Sequence, residues 1–104
     1  MITWKNMDTL ASVQELAKAE RVGLAAAMSG EAGAERVKRY SVPMGKGLDF
    51  NFAARPVNDE ILAKLADLAK EAQLTEKYAA LYNGAVINTG EKRMVLHHLT
   101  RGQL

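Results

Sequence analysis

The stretch that decides the fold is residues 39–52, Arg-Tyr-Ser-Val-Pro-Met-Gly-Lys-Gly-Leu-Asp-Phe-Asn-Phe. Apolar and polar residues alternate on both sides of Gly45-Lys46-Gly47, and a period of two is typical of strands with one buried face. The glycines favour a tight turn because they adopt positive φ readily. The stretch predicts an antiparallel β-hairpin over about residues 39–53, with Pro43 on an edge strand because proline cannot donate to a ladder. A lone hairpin is marginal in water, so other residues must cover its apolar face.

Helical periodicity precedes the hairpin. Apolar residues fall near one helical face from about Asp8 to Met28, which predicts a first helix. Ser12 and Glu15 have the spacing of a capping box, and Asp8 is a competing start. The glycine-containing segment 29–34 then breaks or interrupts this helix.

The clearest helical pattern follows the hairpin. Asn58 is a good N-cap residue, and Asp59 and Glu60 suit the positive end of a helix dipole. Charged residues occupy one side of this segment, and an apolar stripe as wide as one buried face occupies the other. The apolar stripe consists of Ile61, Leu62, Leu65, Leu68, Ala69 and Ala72.

Shorter elements complete the chain. Thr75 can cap a second, shorter helix, and Asn83-Gly84 would end it in the left-handed conformation. Residues 86–90 read as a connector, and a last helix is expected to start near Glu91. The predicted class is α+β, mostly helical with one antiparallel hairpin, in a single segment spanning residues 1–104.

The composition is that of an ordinary globular protein, with 48% hydrophobic and 25% charged residues among 104. The net charge of +2 is a weak hint about partners, because basic and acidic residues alternate along the predicted helices. Cysteine is absent, which excludes disulfides, thiolate nucleophiles and cysteine metal sites. Neither a signal peptide nor an apolar run of the ~20 residues that cross a bilayer is present in the sequence. We therefore expect a cytoplasmic protein without a membrane or nucleic-acid partner.

One histidine pair and one glycine-rich stretch have residue types found in chemical sites. His97-His98 is the one imidazole pair, but adjacent residues on a helix point about 100° apart and do not converge on a metal. A packed or capped His97 beside a partly exposed His98 is the simpler interpretation. Gly45-Lys46-Gly47 lacks the spacing of a phosphate-binding loop and lies between strands, so a hairpin turn explains it better.

Charged and aromatic residues give three further candidates. Asp59-Glu60 is an acidic pair, but carboxylates in the first turn of a helix more often complement its dipole than act as acid and base. Trp4 is expected to pack on a neighbouring surface. A basic cluster has the charge to meet phosphate or an acidic partner, and a solvated flank of the hairpin is the favoured alternative. The cluster consists of Arg36, Lys38, Arg39 and Lys46.

Residues 81–97, Leu-Tyr-Asn-Gly-Ala-Val-Ile-Asn-Thr-Gly-Glu-Lys-Arg-Met-Val-Leu-His, resemble a segment of the phosphoglucose isomerase family. The matching positions are Asn83, Gly84, Ile87, Asn88, Glu91, Arg93, Val95, Leu96 and His97. Departures are Gly90, where the family usually has a hydroxyl residue, and Ala85, where Glu is common.

The order of elements upstream also resembles that family. Tyr40-Ser41-Val42 is similar to its first strand, Leu48-Asp49-Phe50 to its second, and Asp67-Leu68-Ala69-Lys70 to the end of the helix that follows. The resemblance is specific over residues 39–101 and weak over the first helix.

The resemblance implies a fold of two α/β/α sandwich domains, a dimer, and aldose–ketose isomerisation of glucose 6-phosphate and fructose 6-phosphate in glycolysis and gluconeogenesis. In that family a Glu moves the proton with help from an Arg, a Ser/Thr-rich loop binds phosphate, and no metal or organic cofactor is needed. None of these groups has a counterpart in this sequence, so we predict no catalytic, substrate-binding or metal-binding residue. Arg93 and His97 match the family motif and are assigned structural hydrogen bonding.

The leading hypothesis is an amino-terminal segment of such an isomerase, inactive alone, whose partner is the remainder of that chain and whose sugar phosphate substrate binds only the full-length enzyme. The alternative is a stand-alone protein-interaction module with the same fold. A third hypothesis, a small nucleic-acid binder, rests only on the pI near 9.0. Apolar faces around Phe50, Leu62, Leu65 and Leu99 would pack on the remainder, and their exposure would drive self-association.

Overall fold

A computed structural model describes residues 1–88, 90–97 and 99. The chain divides into two compact units, one formed by Met1–Gln14 with Leu65–Leu104 and the other by Glu15–Lys64. In the residues the structure describes, no helix has the length and apolar character needed to cross a bilayer.

The described elements confirm the α+β class. They comprise five α-helices, a 3-10 helix and two two-stranded antiparallel sheets. The 3-10 helix is Met7–Thr9, and the α-helices are α1 (Ala11–Ala17), α2 (Leu24–Ala27), α3 (Gly30–Arg39), α4 (Asp59–Glu71) and α5 (Leu74–Tyr82). The strands are β1 (Ser41–Gly45), β2 (Leu48–Asn51), β3 (Val86–Asn88) and β4 (Arg93–Met94).

The predicted hairpin is confirmed as β1 paired antiparallel with β2. Ser41 lies opposite Asn51 and Pro43 opposite Asp49, and a bulge shifts the register before Gly45. The turn needs left-handed backbone at three successive residues, with φ of 97° at Gly45, 54° at Lys46 and 75° at Gly47. The flanking glycines carry this geometry without a Cβ penalty, which explains why the turn falls there.

The expected apolar face of the hairpin is exposed within this chain. Val42 and Phe50 each retain 47% of their accessible surface, Met44 retains 64% and Leu48 retains 63%. In the described part of the chain, the buried hydrophobic residues are Leu10, Tyr40 and Ala53. The alternating pattern therefore predicts an apolar face that packs against other residues, but the described residues do not cover it.

Helix α4 begins where its sequence predicts. The Asn58 side-chain oxygen accepts a hydrogen bond of 2.8 Å from the backbone N–H of Ile61, which satisfies one of the orphan donors of the first turn. Asp59 and Glu60 occupy that first turn, as the dipole argument requires.

Helix α5 ends as predicted but begins slightly earlier. Gly84 has φ of 82°, the Gly84 N–H donates to Leu81, and the Ala85 N–H donates to Ala80 at 2.9 Å. These two bonds form the Schellman arrangement that stops a helix. The start lies at Leu74 rather than at a Thr75 cap, because Gln73 reverses the chain with a left-handed φ of 56°.

The predicted continuous helix from Asp8 to Met28 is wrong. The structure has the 3-10 helix, α1 and α2 instead, with irregular backbone between α1 and α2. Gly23 is extended (φ −77°, ψ 97°) and cannot continue a helix. Ser12 lies inside α1 and is buried, and its hydroxyl donates to Glu71 Oε1 at 3.0 Å instead of capping.

The predicted last helix near Glu91 is also wrong. Residues 90–92 turn, and Arg93–Met94 forms β4 against β3, a second sheet that the sequence interpretation omitted. The Asn88 side chain accepts a 3.1 Å hydrogen bond from the Glu91 N–H, and Lys92 has φ of 57°. Because helical backbone needs a negative φ, the left-handed Lys92 prevents a helix from continuing after Glu91, and Arg93–Met94 pairs with β3 instead. His98 lies outside the described residues.

Helix α3 occupies part of the segment that the sequence marked as a break. It begins at Gly30, whose φ of 62° reverses the chain after α2. Gly33 is buried because its Cα approaches the Met28 backbone, and a Cβ there would overlap the Met28 carbonyl. Close approach of two backbones explains a glycine within a helix.

We expect Gly33→Ala to destabilise the protein, although alanine normally stabilises a helix interior. The added methyl must displace backbone, so a loss of about 1–3 kcal/mol in the free energy of unfolding is expected from urea denaturation. Gly23→Ser is the control, because nothing lies within 4 Å of a Cβ at Gly23. Equal stability of wild type and Gly33→Ala would contradict the close approach.

Removing the α4 cap gives a second stability test. Asn58→Ala deletes the acceptor for the Ile61 N–H and should cost about 1 kcal/mol, whereas Asn58→Asp keeps an acceptor and should cost little. Chemical denaturation monitored by circular dichroism measures both. A cost for Asn58→Asp as large as that for Asn58→Ala would argue against the cap.

Candidate functional site

The strongest polar cluster in the unit Glu15–Lys64 surrounds the carboxylate of Asp59. Arg39 donates to both carboxylate oxygens at 2.7 and 2.9 Å, and the Tyr40 hydroxyl donates to one of them at 2.9 Å. We call Arg39, Tyr40 and Asp59 the Asp59 cluster. It ties the end of α3 to the start of α4.

Electrostatics in the Asp59 cluster follow from these bonds. The Arg39 hydrogen bond, followed by that from Tyr40, holds the pKa of Asp59 below its ordinary value. Burial of the phenol, followed by its bond to Asp59, raises the pKa of Tyr40. The Asp59 hydrogen bond raises the pKa of Arg39. A carboxylate held in its charged form by two donors is a poor general base.

Aromatic stacking adjoins the cluster. The rings of Tyr40 and Phe52 stack with centroids 4.9 Å apart, and those of Phe52 and Phe50 lie 6.1 Å apart. The Arg36 guanidinium carbon lies 4.7 Å from the Tyr40 ring centroid, within the range of a cation–π contact. The stacking and the cation–π contact hold the Tyr40 ring, and the hydrogen bond to Asp59 holds its hydroxyl.

Arg36 donates hydrogen bonds to backbone carbonyls. Its Nε donates to the carbonyl of Ala53 at 2.7 Å, and its Nη2 donates to the carbonyls of Arg55 at 2.6 Å and Val57 at 2.7 Å. The fork geometry of guanidinium allows one side chain to satisfy all three acceptors. Arg36 therefore holds the loop between β2 and α4 through Nε and Nη2.

The predicted basic cluster does not converge on one site. Arg36 is bound to carbonyls and Arg39 to Asp59, while Lys38 makes a 3.5 Å ion pair with the exposed Glu35 on its own helix. Lys46 stands in the hairpin turn. The arrangement supports the flank-of-hairpin interpretation rather than an anion site.

The remaining sequence candidates are placed as follows. Asp59 of the acidic pair is engaged by two donors, as described above, so the pair does not divide into an acid and a base. His97 is exposed, and Arg93 lies 3.7 Å from Glu91 with both side chains exposed. Trp4 is 43% exposed, and Lys77 Nζ stands 5.2 Å from its ring centroid.

The unit formed by Met1–Gln14 with Leu65–Leu104 contains a surface depression of about 450 Å³. The Glu71 carboxylate in its wall accepts from the Ser12 N–H at 3.2 Å and from its hydroxyl at 3.0 Å. The Gln73 side chain donates to the Met1 carbonyl and accepts from the Thr3 N–H. These polar groups serve the packing of the terminal segment. Within the described residues, no group of three or more His, Cys, Asp or Glu side chains could hold a metal.

Sequence reasoning missed the two residues that matter most in this region. It treated Arg36 and Tyr40 as a flank charge and a strand residue, respectively, because their partners lie 17 or more positions away. The one available signal was the coincidence of an acid at the start of α4 with two arginines at the end of the segment before the hairpin. That coincidence predicts an ion pair only after the hairpin has brought them together.

Acidification should weaken the fold through Asp59. Its folded-state pKa lies below its unfolded value, so its contribution is fully present above about pH 4 and is lost as pH falls through the folded pKa. We expect Asp59→Asn to flatten the dependence of unfolding free energy on pH between pH 2.5 and 6. Tyr40→Phe, which removes one donor and keeps the ring, should give an intermediate slope. Identical slopes for all three proteins would contradict the assignment.

Comparisons with a family model and with known proteins agree on one family. The family model described as Phosphoglucose isomerase matches residues 51–104. The glucose-6-phosphate isomerase of Treponema denticola is 55% identical over 106 residues, which cover 97% of this chain and 20% of that protein.

More distant relatives carry the same name. The glucose-6-phosphate isomerase of Treponema pallidum (strain Nichols) is 49% identical over 96% of this chain and 19% of that protein. That of Borreliella afzelii is 35% identical over 100% of this chain and 19% of that protein. The chain spans about a fifth of the length of the curated relatives it matches. No solved structure gives a significant match.

Proposed function

This chain belongs to the phosphoglucose isomerase family, and from that membership we propose that it is the amino-terminal segment of a glucose-6-phosphate isomerase. The observation that carries the proposal is 55% identity over 97% of the chain, matched to only 20% of the relative. Residues 1–104 then form one segment of a longer cytoplasmic enzyme of glycolysis and gluconeogenesis.

The segment acts as scaffold in this proposal, and the whole enzyme interconverts glucose 6-phosphate and fructose 6-phosphate. The polar groups described above support a structural role. Arg36 is bound to three carbonyls, and Asp59 is held charged by Arg39 and Tyr40. The proton-transferring base and the phosphate-binding loop come from the remainder of the chain, and this segment alone is inactive.

Exposed apolar residues support the remainder of the isomerase chain as the partner. Fifteen large hydrophobic side chains are exposed in the described part, against three buried hydrophobic residues. Such a ratio is unusual for a domain that is complete in itself, because burial of apolar surface is the main force for folding. The dimer and the sugar phosphate site belong to the full-length enzyme in this proposal, which has no membrane or nucleic-acid partner.

A stand-alone protein-interaction module remains the second candidate, favoured by the same exposed apolar residues. The two candidates differ in the surface they require. The surface of an isomerase segment must fit the other four fifths of one enzyme chain, whereas the surface of an interaction module needs to fit only a separate protein.

A chimera tests the proposal. Residues 1–104 replace the corresponding segment of the Treponema denticola isomerase, and turnover of fructose 6-phosphate is measured in a coupled assay. We expect the chimera to keep activity of the same order as the parent enzyme, and the isolated 104-residue chain to show none. A chimera that folds and binds no substrate would contradict the proposal, as would turnover by the isolated chain.

A variant of the chimera separates scaffold from catalysis. Asp59→Asn should lower the thermal midpoint of the chimera and leave kcat within about twofold, because catalytic groups typically contribute at least about 100-fold. A loss of kcat beyond that range, with the fold intact, would place Asp59 in the catalytic machinery.

A further inference from the structure

Asn83-Gly84 is the one Asn-Gly dipeptide in the sequence. The backbone nitrogen that follows Asn83 belongs to a glycine, so no Cβ hinders its approach to the Asn83 side chain. A five-membered ring forms if that nitrogen bonds to the side-chain carbonyl carbon of Asn83. The other asparagines are all followed by larger residues, and they are Asn6, Asn51, Asn58 and Asn88.

The side chain of Asn83 also differs from those of three other asparagines in its surroundings. The side-chain oxygens of Asn51, Asn58 and Asn88 each accept a hydrogen bond from a backbone N–H, at 3.0, 2.8 and 3.1 Å respectively. Asn83 is exposed, and within the described residues no hydrogen bond holds its side-chain amide. Its amide can therefore rotate toward the backbone of Gly84.

The C-terminal cap of α5 opposes the attack of that nitrogen. The Gly84 N–H donates to the Leu81 carbonyl at 3.1 Å, and the Ala85 N–H donates to the Ala80 carbonyl at 2.9 Å. Ring closure requires the Gly84 nitrogen to eclipse Cβ of Asn83, and the ψ of 8° at Asn83 keeps the two atoms apart. Both hydrogen bonds must therefore open first, and helix ends are the parts of helices that open most readily.

We propose that Asn83 is a site of spontaneous deamidation and that the C-terminal cap of α5 sets its rate. When the cap opens, the Gly84 nitrogen loses its proton to solvent and bonds to the side-chain carbonyl carbon of Asn83, and ammonia leaves from that carbon. Water then cleaves one of the two C–N bonds of the ring nitrogen within the ring. Cleavage on the side-chain side gives aspartate, and cleavage on the main-chain side gives isoaspartate. Water is the one reactant that the protein does not supply.

Both products weaken the end of α5. Aspartate places a negative charge at the negative end of the helix dipole. Isoaspartate routes the main chain through the side chain and adds one atom before Gly84, so the N–H groups of Gly84 and Ala85 no longer align with their acceptors. Strand β3 begins at Val86, two residues after Gly84, so the change also reaches the second sheet. Deamidation therefore loosens residues 83–88.

Peptide mapping by mass spectrometry of the whole chimeric isomerase tests the site. The chimera is aged at neutral pH in native buffer, where circular dichroism shows whether it is folded, and in urea. Aspartate and isoaspartate are then measured at each of the five asparagines of residues 1–104. We expect Asn83 to convert fastest in both solvents. Its conversion in native buffer should be about 5–30-fold slower than in urea, because two hydrogen bonds must open first.

Two results would overturn the proposal. One is conversion of Asn83 in the folded chimera that is no faster than that of the other asparagines, or as fast as in urea. The second is faster conversion of any other asparagine in urea, a measurement that needs no folded protein and can be made on the 104-residue chain itself.

Asn83→Gln is the matched control for the consequence of the reaction. Glutamine keeps the amide but would have to close a six-membered ring, which forms more slowly. Before ageing, we expect the two chimeras to have the same thermal midpoint, since no hydrogen bond holds the Asn83 side chain within the described residues. After ageing, the midpoint should fall for the chimera with Asn83 and stay unchanged for Asn83→Gln. Equal falls would contradict the link between deamidation and the end of α5.

This inference goes beyond the proposed function, and its readout is separate. The mass of the peptide that contains Asn83 reports the modification, whereas turnover of fructose 6-phosphate reports the function. A folded chimera that deamidates at Asn83 without turnover would contradict the function alone.

Discussion

The bonds from Arg36 to the carbonyls of Ala53, Arg55 and Val57 determine the geometry of the unit Glu15–Lys64. These carbonyls belong to the irregular segment between β2 and α4, which has no ladder or helix to satisfy them. One planar guanidinium satisfies all three and also lies over the Tyr40 ring. The position of α4, and hence the access of Asp59 to Arg39 and Tyr40, depends on how that loop is held.

Local sequence signals predicted the elements that local physics determines. The Arg39 to Phe52 alternation gave the hairpin, Asn58 gave the start of α4, and Asn83-Gly84 gave the end of α5, because each is a matter of a few neighbouring residues. The helix from Asp8 and the helix from Glu91 failed for the opposite reason. Ser12 takes its partner 59 positions away at Glu71, and the residues after Glu91 pair as β4 with β3 instead of continuing a helix.

The candidate site shows the same limit. Its residue types were visible in the sequence, but their pairing was not, since Arg36 and Tyr40 reach across the hairpin to acceptors far along the chain. Family resemblance added what periodicity could not, and comparison with curated isomerases bears out the family. The proposed function explains the exposed apolar side chains of the hairpin and helices as residues that contact the remainder of the isomerase chain.

The division of the chain into two units also affects the order in which they can fold during synthesis. The unit Glu15–Lys64 is continuous in sequence, whereas the other unit joins Met1–Gln14 to Leu65–Leu104. Once residue 64 has left the ribosome, every residue of the unit Glu15–Lys64 is available for folding. Of the other unit, only the fourteen residues Met1–Gln14 are available at that point. The amino-terminal segment must therefore wait, unpaired, while the intervening fifty residues are synthesised, and the order of assembly is set by connectivity before any difference in stability can act.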